Sequence, residues 1–179
     1  MKWKVLKNRN GFTLIELLAT IVILGIIMVI AVPNVTGIIY RSRANTYIED
    51  AKKMVTLTDY AMRGGNNKIT KPGENQCIIF SLYYLDNAEF EDPPNGGDYQ
   101  KNNSFVVVKR KDNKLVYYVQ IVEKFKDNYR GVPFVESSEL NKEGASGRLV
   151  DNFADSDIAM PVATAEPFEC SSFVGTYTS

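Results

Sequence analysis

The sequence of 179 residues contains no histidine, only two cysteines and a single tryptophan. Without histidine, neither a Ser-His-Asp nor a Cys-His catalytic site can be built, and the commonest metal ligand is missing. The 21 basic residues are balanced by 21 acidic ones, so a general basic footprint for nucleic acid is also absent. We therefore expect a protein that is not an enzyme, that needs no cofactor or metal, and whose partners do not include nucleic acid.

Charge is almost absent from the stretch between Phe12 and Val32, where Glu16 is the one ionisable side chain. About 20 apolar residues are enough to span a bilayer. Four basic residues precede the stretch, namely Lys2, Lys4, Lys7 and Arg9. This excess of positive charge predicts that the N-terminus stays in the cytoplasm and that the rest of the chain lies outside.

Glu16 is unexpected in such a stretch. A carboxylate costs roughly 2.5–3.5 kcal/mol at the centre of a membrane helix, so an acidic residue there indicates a function. The alternative interpretation is a carboxylate that only reaches the lipid headgroups.

The order Gly11-Phe12-Thr13-Leu14-Ile15-Glu16 resembles the N-terminus of type IV prepilins and pseudopilins. The resemblance implies that a prepilin peptidase cuts after Gly11 and that Phe12 becomes the N-methylated first residue. It also implies that Glu16 meets the amine of Phe12 in a neighbouring subunit during assembly. Gly25 and Pro33 stand where many pilins have the glycine and proline that bracket a stretch of helix able to melt in the filament.

An ordinary signal peptide and a plain membrane anchor are two simpler interpretations of the N-terminus. A signal peptide has an apolar region of about 7–15 residues and a small-residue cleavage site, for which Val29-Ile30-Ala31 would serve. However, the apolar run here is longer and contains Glu16. A plain anchor accounts for the length and the leader charge but not for the Gly-Phe-x-x-x-Glu order.

The remaining sequence predicts an α+β fold in which one long helix packs on a small antiparallel sheet. Beyond Pro33, apolar residues recur at spacings of three and four, which is typical of a helix with one buried face. That stripe consists of Ala44, Tyr47, Ile48, Ala51, Met54, Val55, Thr58, Ala61 and Met62. The predicted domains are a leader at 1–11, a transmembrane helix at 12–33, the outer half of the helix at 34–63 and an extracellular β-rich domain at 64–179.

Several β-strands follow the helix, which should stop at Gly64-Gly65-Asn66-Asn67. The clearest prediction is a hairpin that turns at Asp112-Asn113. The predicted strands are Cys77–Phe80, Ser104–Arg110, Lys114–Val122, Gly131–Val135 and Leu149–Phe153, with a short helix capped by Ser81 after the first, a loop at 91–98 and an irregular tail at 159–179.

Cys77 and Cys170 both lie in the part predicted to be outside the cell, where disulfides persist. A bridge between them would close a long loop and contribute up to about 4–5 kcal/mol in the chain-entropy picture. The resemblance adds that many pilins fasten their C-terminal region by a disulfide. Two free buried thiols remain the alternative.

Two charged clusters have no clear assignment from the sequence. Lys109, Arg110, Lys111 and Lys114 gather at the predicted hairpin turn, where they are either solvated charges or a contact for DNA or an acidic surface. Glu89, Glu91, Asp92 and Asp98 could surround calcium, although they lack the spacing of a dedicated calcium loop.

The function that the resemblance implies is a major or minor type IV pilin, which waits as a single-pass membrane protein and then polymerises into an extracellular pilus for adhesion, aggregation or surface motility. Its partners would be other pilins, the prepilin peptidase and the pilus assembly machinery. The outer-domain layout is similar to that of Gram-positive pilins. A pseudopilin of a type II secretion or DNA-uptake machine is the alternative. A membrane-anchored binding protein that forms no filament is a third possibility.

Overall fold

The computed structural model describes residues 11–64, 69–85, 90, 92–154 and 167–170. Its helices are α1 (Leu14–Arg63), α2 (Leu82–Leu85) and α3 (Ala145–Leu149), with a 3-10 helix at Ser137–Asn141. Its strands are β1 (Gln76–Ser81), β2 (Asp98–Tyr99), β3 (Phe105–Lys111), β4 (Lys114–Phe125), β5 (Asn128–Glu136), β6 (Asp151–Phe153) and β7 (Phe168–Glu169). The chain divides into two compact units, Met1–Tyr40 and Arg41–Ser179.

Helix α1 is 50 residues long and contributes to both units. It ends at Arg63, where Gly64 donates its backbone N–H to the carbonyl of Tyr60 at 2.6 Å. The glycine-rich stop signal in the sequence is thereby confirmed. Pro33 lies inside α1, and the helix continues beyond it as the uninterrupted apolar pattern predicts. A proline removes only one backbone donor, so the remaining helical hydrogen bonds carry the helix past it.

In the second unit, α1 buries the face that its apolar spacing predicts. Tyr47, Ala51, Met54 and Thr58 have no exposed surface, and the neighbouring members of the stripe are buried or half-buried. Residues three and four apart on a helix lie on the same side, which is why one stripe suffices to cover the sheet.

The described strands form one sheet with the order β6-β5-β4-β3-β1-β7, and β2 pairs with the far end of β4. Every pairing between these strands is antiparallel. Together with α1 this confirms the α+β class. The predicted β3–β4 hairpin is present: Asp112 and Asn113 both have positive φ, at 50° and 61°, as a tight two-residue hairpin turn requires.

Three strand predictions need correction. β5 begins at Asn128 rather than at Gly131, because Tyr129 and Arg130 pair with both β4 and β6. Leu149 ends α3 and does not start a strand. Phe168–Glu169, predicted to be irregular, forms β7 on the edge of β1. In each case the strand is defined by a partner distant in sequence, and the local sequence does not identify that partner.

The sheet is apolar on both faces. The face toward α1 includes Ile78, Val106, Val119 and Val132. The opposite face holds a second cluster, made of Cys77, Ile79, Phe105, Val107, Phe134 and Cys170. The runs of consecutive valines in β3 therefore reflect a strand that is buried on both sides.

Candidate functional site

The N-terminal motif lies at the start of α1. Gly11, Phe12 and Thr13 precede the helix in extended or irregular backbone, and the Phe12 side chain is 88 % exposed. The Gly11–Phe12 peptide bond is therefore outside the helix. A protease needs its substrate backbone unwound, so this position suits cleavage.

Thr13 and Glu16 together cap the helix. The carboxylate of Glu16 accepts hydrogen bonds from the backbone N–H and from the hydroxyl of Thr13, both at 2.8 Å. In return, the Thr13 hydroxyl accepts the backbone N–H of Glu16 at 3.3 Å. This reciprocal arrangement is a capping box, which satisfies helix-terminal donors that have no intrahelical partner. Within a single chain, Glu16 is thus already hydrogen-bonded, and the bonds come from groups beside the predicted new N-terminus.

The segment Leu14–Ala31 has the composition of a membrane span. Its mean hydropathy is 2.9, and none of it is buried inside the described structure. Gly25 faces open space, since a Cβ atom added there would meet no atom within 4 Å. An apolar helix with no protein cover in a single chain must be covered by lipid or by other helices.

Three tyrosine hydroxyls join α1 to the sheet in the second unit. Tyr47 of α1 donates to Glu123 of β4, Tyr99 of β2 donates to Asp50 of α1 at 2.5 Å, and Tyr117 of β4 donates to Asp59 of α1 at 2.5 Å. Each bond has an ionisable carboxylate as its acceptor, and such bonds are stronger than those between neutral groups. The part of the helix between residues 47 and 59 is therefore fixed to the sheet by polar contacts as well as by packing.

Glu123 is the most buried of these carboxylates, with no exposed surface. Besides Tyr47 it accepts the side-chain amide of Asn95 at 3.1 Å and the backbone N–H of Gly97 at 2.9 Å. Arg130 lies directly opposite it on β5. A buried carboxylate is tolerated when it is well hydrogen-bonded, and Glu123 accepts three hydrogen bonds.

Burial and these bonds raise the pKa values of all three tyrosines. Burial is the main cause for Tyr47, Tyr99 and Tyr117, and the adjacent carboxylate adds to it in each case. For Asp59, desolvation alone would raise the pKa, but the hydrogen bonds from Tyr117 and Arg63 and the charge of Arg63 outweigh it and lower the pKa. The three tyrosine hydroxyls therefore stay protonated and can donate, and the Asp59 carboxylate stays ionised and can accept.

Cys77 and Cys170 are joined by a disulfide, the pairing that the sequence left open. The bond spans 93 residues and lies next to the pairing of β1 with β7. It therefore fastens the C-terminal part of the chain to the first strand of the sheet.

The two charged clusters lie in different places. Lys111 and Lys114 are exposed at the β3–β4 turn, as the sequence predicts. Asp92 and Asp98 line a cavity, whereas Glu89 and Glu91 lie outside the described residues. Within the described part of the chain, no group of three metal-binding side chains is found.

The sequence reasoning missed two features of these sites. The capping role of Thr13 has a recognisable signal, since Thr-x-x-Glu before an apolar run is the pattern of a capping box. The tyrosine–carboxylate bonds have no such signal, because their partners are between 49 and 76 residues apart, and nothing local links Tyr47 to Glu123.

Comparison with known proteins adds one match. Residues 6–32 match the family model of the prokaryotic N-terminal methylation motif. No curated protein and no solved structure matches the chain. The match covers residues 6–11 of the predicted leader, the predicted cleavage site, Glu16 and the apolar helix up to Val32. The chain therefore carries at its N-terminus the class III signal peptide of type IV pilins.

Proposed function

We propose that this protein is a type IV pilin that is cut after Gly11, N-methylated on Phe12 and polymerised into an extracellular pilus. The observation that carries the proposal is the order Gly11-Phe12-x-x-x-Glu16 at the start of an apolar helix that no described residue of the chain covers. The methylation motif at residues 6–32 supports it. Adhesion, aggregation or surface motility would be the task of such a filament.

The apolar helix supplies the adhesion between subunits. Before assembly, lipid covers the side chains of Leu14–Ala31. A subunit can leave the membrane only if other apolar surface replaces the lipid, and identical helices from neighbouring subunits provide that surface. Polymerisation through this segment therefore needs no change in the outer domain.

Glu16 sets the register between neighbouring subunits of the filament. Cleavage frees the amine of Phe12, and a carboxylate in an apolar environment is stabilised when it pairs with a cation. Glu16 already accepts two hydrogen bonds from Thr13, next to that amine. In the filament, the Glu16 carboxylate of one subunit meets the Phe12 amine of its neighbour, so that only processed subunits assemble.

The other proposed roles follow from the same arrangement. Gly25 and Pro33 bracket a part of α1 that melts in the filament, since glycine lowers helix stability and proline lacks a backbone donor. The prepilin peptidase, the inner assembly machinery and other pilins are the partners, and the outer domain acts without catalysis or cofactor. The antiparallel sheet with its long C-terminal extension favours the Gram-positive type of pilin.

The test is to compare cells with and without the gene. Sheared surface fractions of wild-type cells should contain the protein in filaments, and N-terminal sequencing should begin at Phe12. A mature N-terminus near Val32 would make the chain an ordinary secreted protein and exclude the proposal. Processed protein that stays in the envelope and is needed for secretion or DNA uptake would instead identify a pseudopilin.

A further inference from the structure

A cavity of about 240 Å³ opens in the second unit where the loop before β2 meets α2. Its walls carry the aromatic rings of Phe90 and Tyr99, the carboxylates of Asp92 and Asp98, and Lys101. Pockets for small organic ligands usually measure about 300–1,000 Å³. This cavity has room for one long side chain rather than for a cofactor.

The chemistry of the walls selects a cationic side chain. The ring of Phe90 already has the Lys53 ammonium 4.8 Å from its centroid, so the selection comes from charge: two carboxylates outnumber the single lysine of the wall. Neither Asp92 nor Asp98 forms an ion pair with another described residue. A lysine or arginine that entered the cavity would gain charge pairing with the two aspartates.

The cavity wall is held in place by the buried contacts around Glu123. Asn95 and Gly97, which lie between the two aspartates in sequence, both donate to the Glu123 carboxylate. Tyr99, at the end of the same segment, donates to Asp50 of α1. Three anchoring bonds at residues 95, 97 and 99 fix the position of Asp98 before any partner binds, which lowers the entropy cost of binding.

A matching surface lies at the β3–β4 turn. Lys111 and Lys114 are directly opposite each other in the register, both are exposed, and neither forms an ion pair with a described residue. Like charges placed opposite each other on neighbouring strands are destabilising. Arg110 and Lys109 come just before them and add to the charge. An anionic partner would relieve this repulsion.

The hairpin tip and the cavity lie at opposite ends of one strand. β4 begins at Lys114, in the turn, and its other end at Lys124 pairs with Asp98. Ten residues of extended strand cover about 33 Å. The basic tip of a chain therefore cannot reach the cavity of the same chain, whereas a second copy can present it.

We propose that the hairpin tip, residues 109–114, of one copy of this chain docks at the Asp92–Asp98 cavity of the next copy and places a lysine side chain in it. This inference rests on the proposed assembly into a filament. Two different patches on opposite ends of a subunit form a heterologous contact, which repeats without closing and so generates an open filament. The outer domains thereby add a directional, charge-selective contact to the apolar helix contacts.

Charge reversal in full-length protein, expressed in place of the native gene, tests the contact. Lys111→Glu with Lys114→Glu, and separately Asp92→Lys with Asp98→Lys, should each reduce incorporation into sheared fibres by about tenfold or more, because like charges then face each other. Processed subunit in the membrane should stay at the wild-type level. Combining all four substitutions should restore incorporation. Lys126→Glu, in the β4–β5 turn at the other end of β4 from the hairpin tip, is the control for the hairpin reversal and should incorporate normally.

A cross-linking experiment covers the case in which a reversed variant does not fold. Lys111→Cys combined with Asp98→Cys should give a ladder of disulfide-linked oligomers in oxidised fibres, while Lys111→Cys alone and Asp98→Cys alone should not.

Normal incorporation of the reversed variants, or fibres without the ladder, overturns the docking contact and leaves the pilin proposal intact. A cavity reversal that blocks assembly while the hairpin reversal does not would overturn it too, since the occupant would then be another partner. Absence of the wild-type protein from sheared fibres refutes the pilin proposal itself.

Discussion

The hydroxyl of Tyr47 on α1 donates a hydrogen bond to the carboxylate of Glu123 on β4, 76 residues away, and neither side chain has any exposed surface. The same carboxylate holds Asn95 and Gly97 of the loop that leads to β2. Helix, sheet and loop therefore meet at one buried charge. Its partners are interdependent, because removing any of them leaves the charge less well satisfied.

Replacing Tyr47 by phenylalanine should destabilise the outer domain by about 1–3 kcal/mol. The substitution removes two hydrogen bonds, the one that Tyr47 donates to Glu123 and the one that it accepts from Asn95, and leaves Glu123 buried with fewer donors, while the ring volume is kept. Urea unfolding of a soluble fragment of residues 34–179, followed by circular dichroism, measures the effect. Tyr60→Phe is the control on the same helix: its side chain is 75 % exposed, and the unfolding free energy should change by less than about 0.5 kcal/mol. Equal effects of the two substitutions would contradict the assigned role of Tyr47.

The outer domain should lose stability in alkali. The pKa values of Tyr47, Tyr99 and Tyr117 are raised in the folded state, whereas an unfolded tyrosine titrates near pH 10. Below about pH 10 the stabilisation is fully present; above it, the unfolded state releases protons that the folded state keeps, so the unfolding free energy falls as pH rises.

Absorbance of tyrosinate checks this pH dependence directly. Of the ten tyrosines in the chain, these three should ionise only as the protein unfolds, because their pKa values are raised in the folded state. The triple phenylalanine variant should have a flatter stability profile above about pH 10. Complete reversible titration of every tyrosine in native protein would refute the prediction.

Removing the disulfide should destabilise the outer domain strongly. The bond between Cys77 and Cys170 closes a loop of about 93 residues, for which the chain-entropy picture gives about 4–5 kcal/mol. The Cys77→Ser, Cys170→Ser double variant should therefore unfold at much lower urea than the wild type. Non-reducing mass spectrometry of surface protein should show the two cysteines in one linked peptide pair, and two alkylatable thiols in native filaments would contradict the bond.

Replacing Glu16 by alanine should block assembly without blocking insertion. Loss of the charge favours the membrane form, by up to about 2.5–3.5 kcal/mol if the side chain lies deep in the bilayer. In the filament, however, the Phe12 amine loses its partner, and a buried charge left alone costs about 3–5 kcal/mol. Immunoblots of membranes and of sheared fibres from the same cells measure the two effects separately.

The 34–179 fragment is the control for the Glu16 experiment. It lacks Glu16 altogether and should fold, because the described core of the outer domain is built from residues beyond Arg41. Normal incorporation of Glu16→Ala subunits at normal membrane levels would show that Glu16 does not set the register and that the apolar flanks suffice. For a minor subunit the quantity to follow is its own presence in the fibres.

The features that could be predicted from the sequence are those whose physics is local. The stop of α1 at Gly64, the turn at Asp112-Asn113 and the buried stripe of the helix each depend on a few adjacent residues or on one repeating spacing. The Gly11–Glu16 motif is local in the same sense, because a peptidase site and a nearby carboxylate are defined by their order along the chain. The family match to residues 6–32 covers this segment.

Tertiary structure alone decided the features that depend on distant partners. β7 is a strand because β1 offers it an edge, and β5 extends to Asn128 because it pairs with β4 and β6. The sequence allows a disulfide between Cys77 and Cys170 but does not show that it forms, and only the fold brings the two cysteines together. Glu123 is an ordinary strand residue in the sequence, and only folding brings Tyr47, Asn95 and Gly97 to it. Such contacts are set by which surfaces can be buried together, and that depends on the whole chain at once.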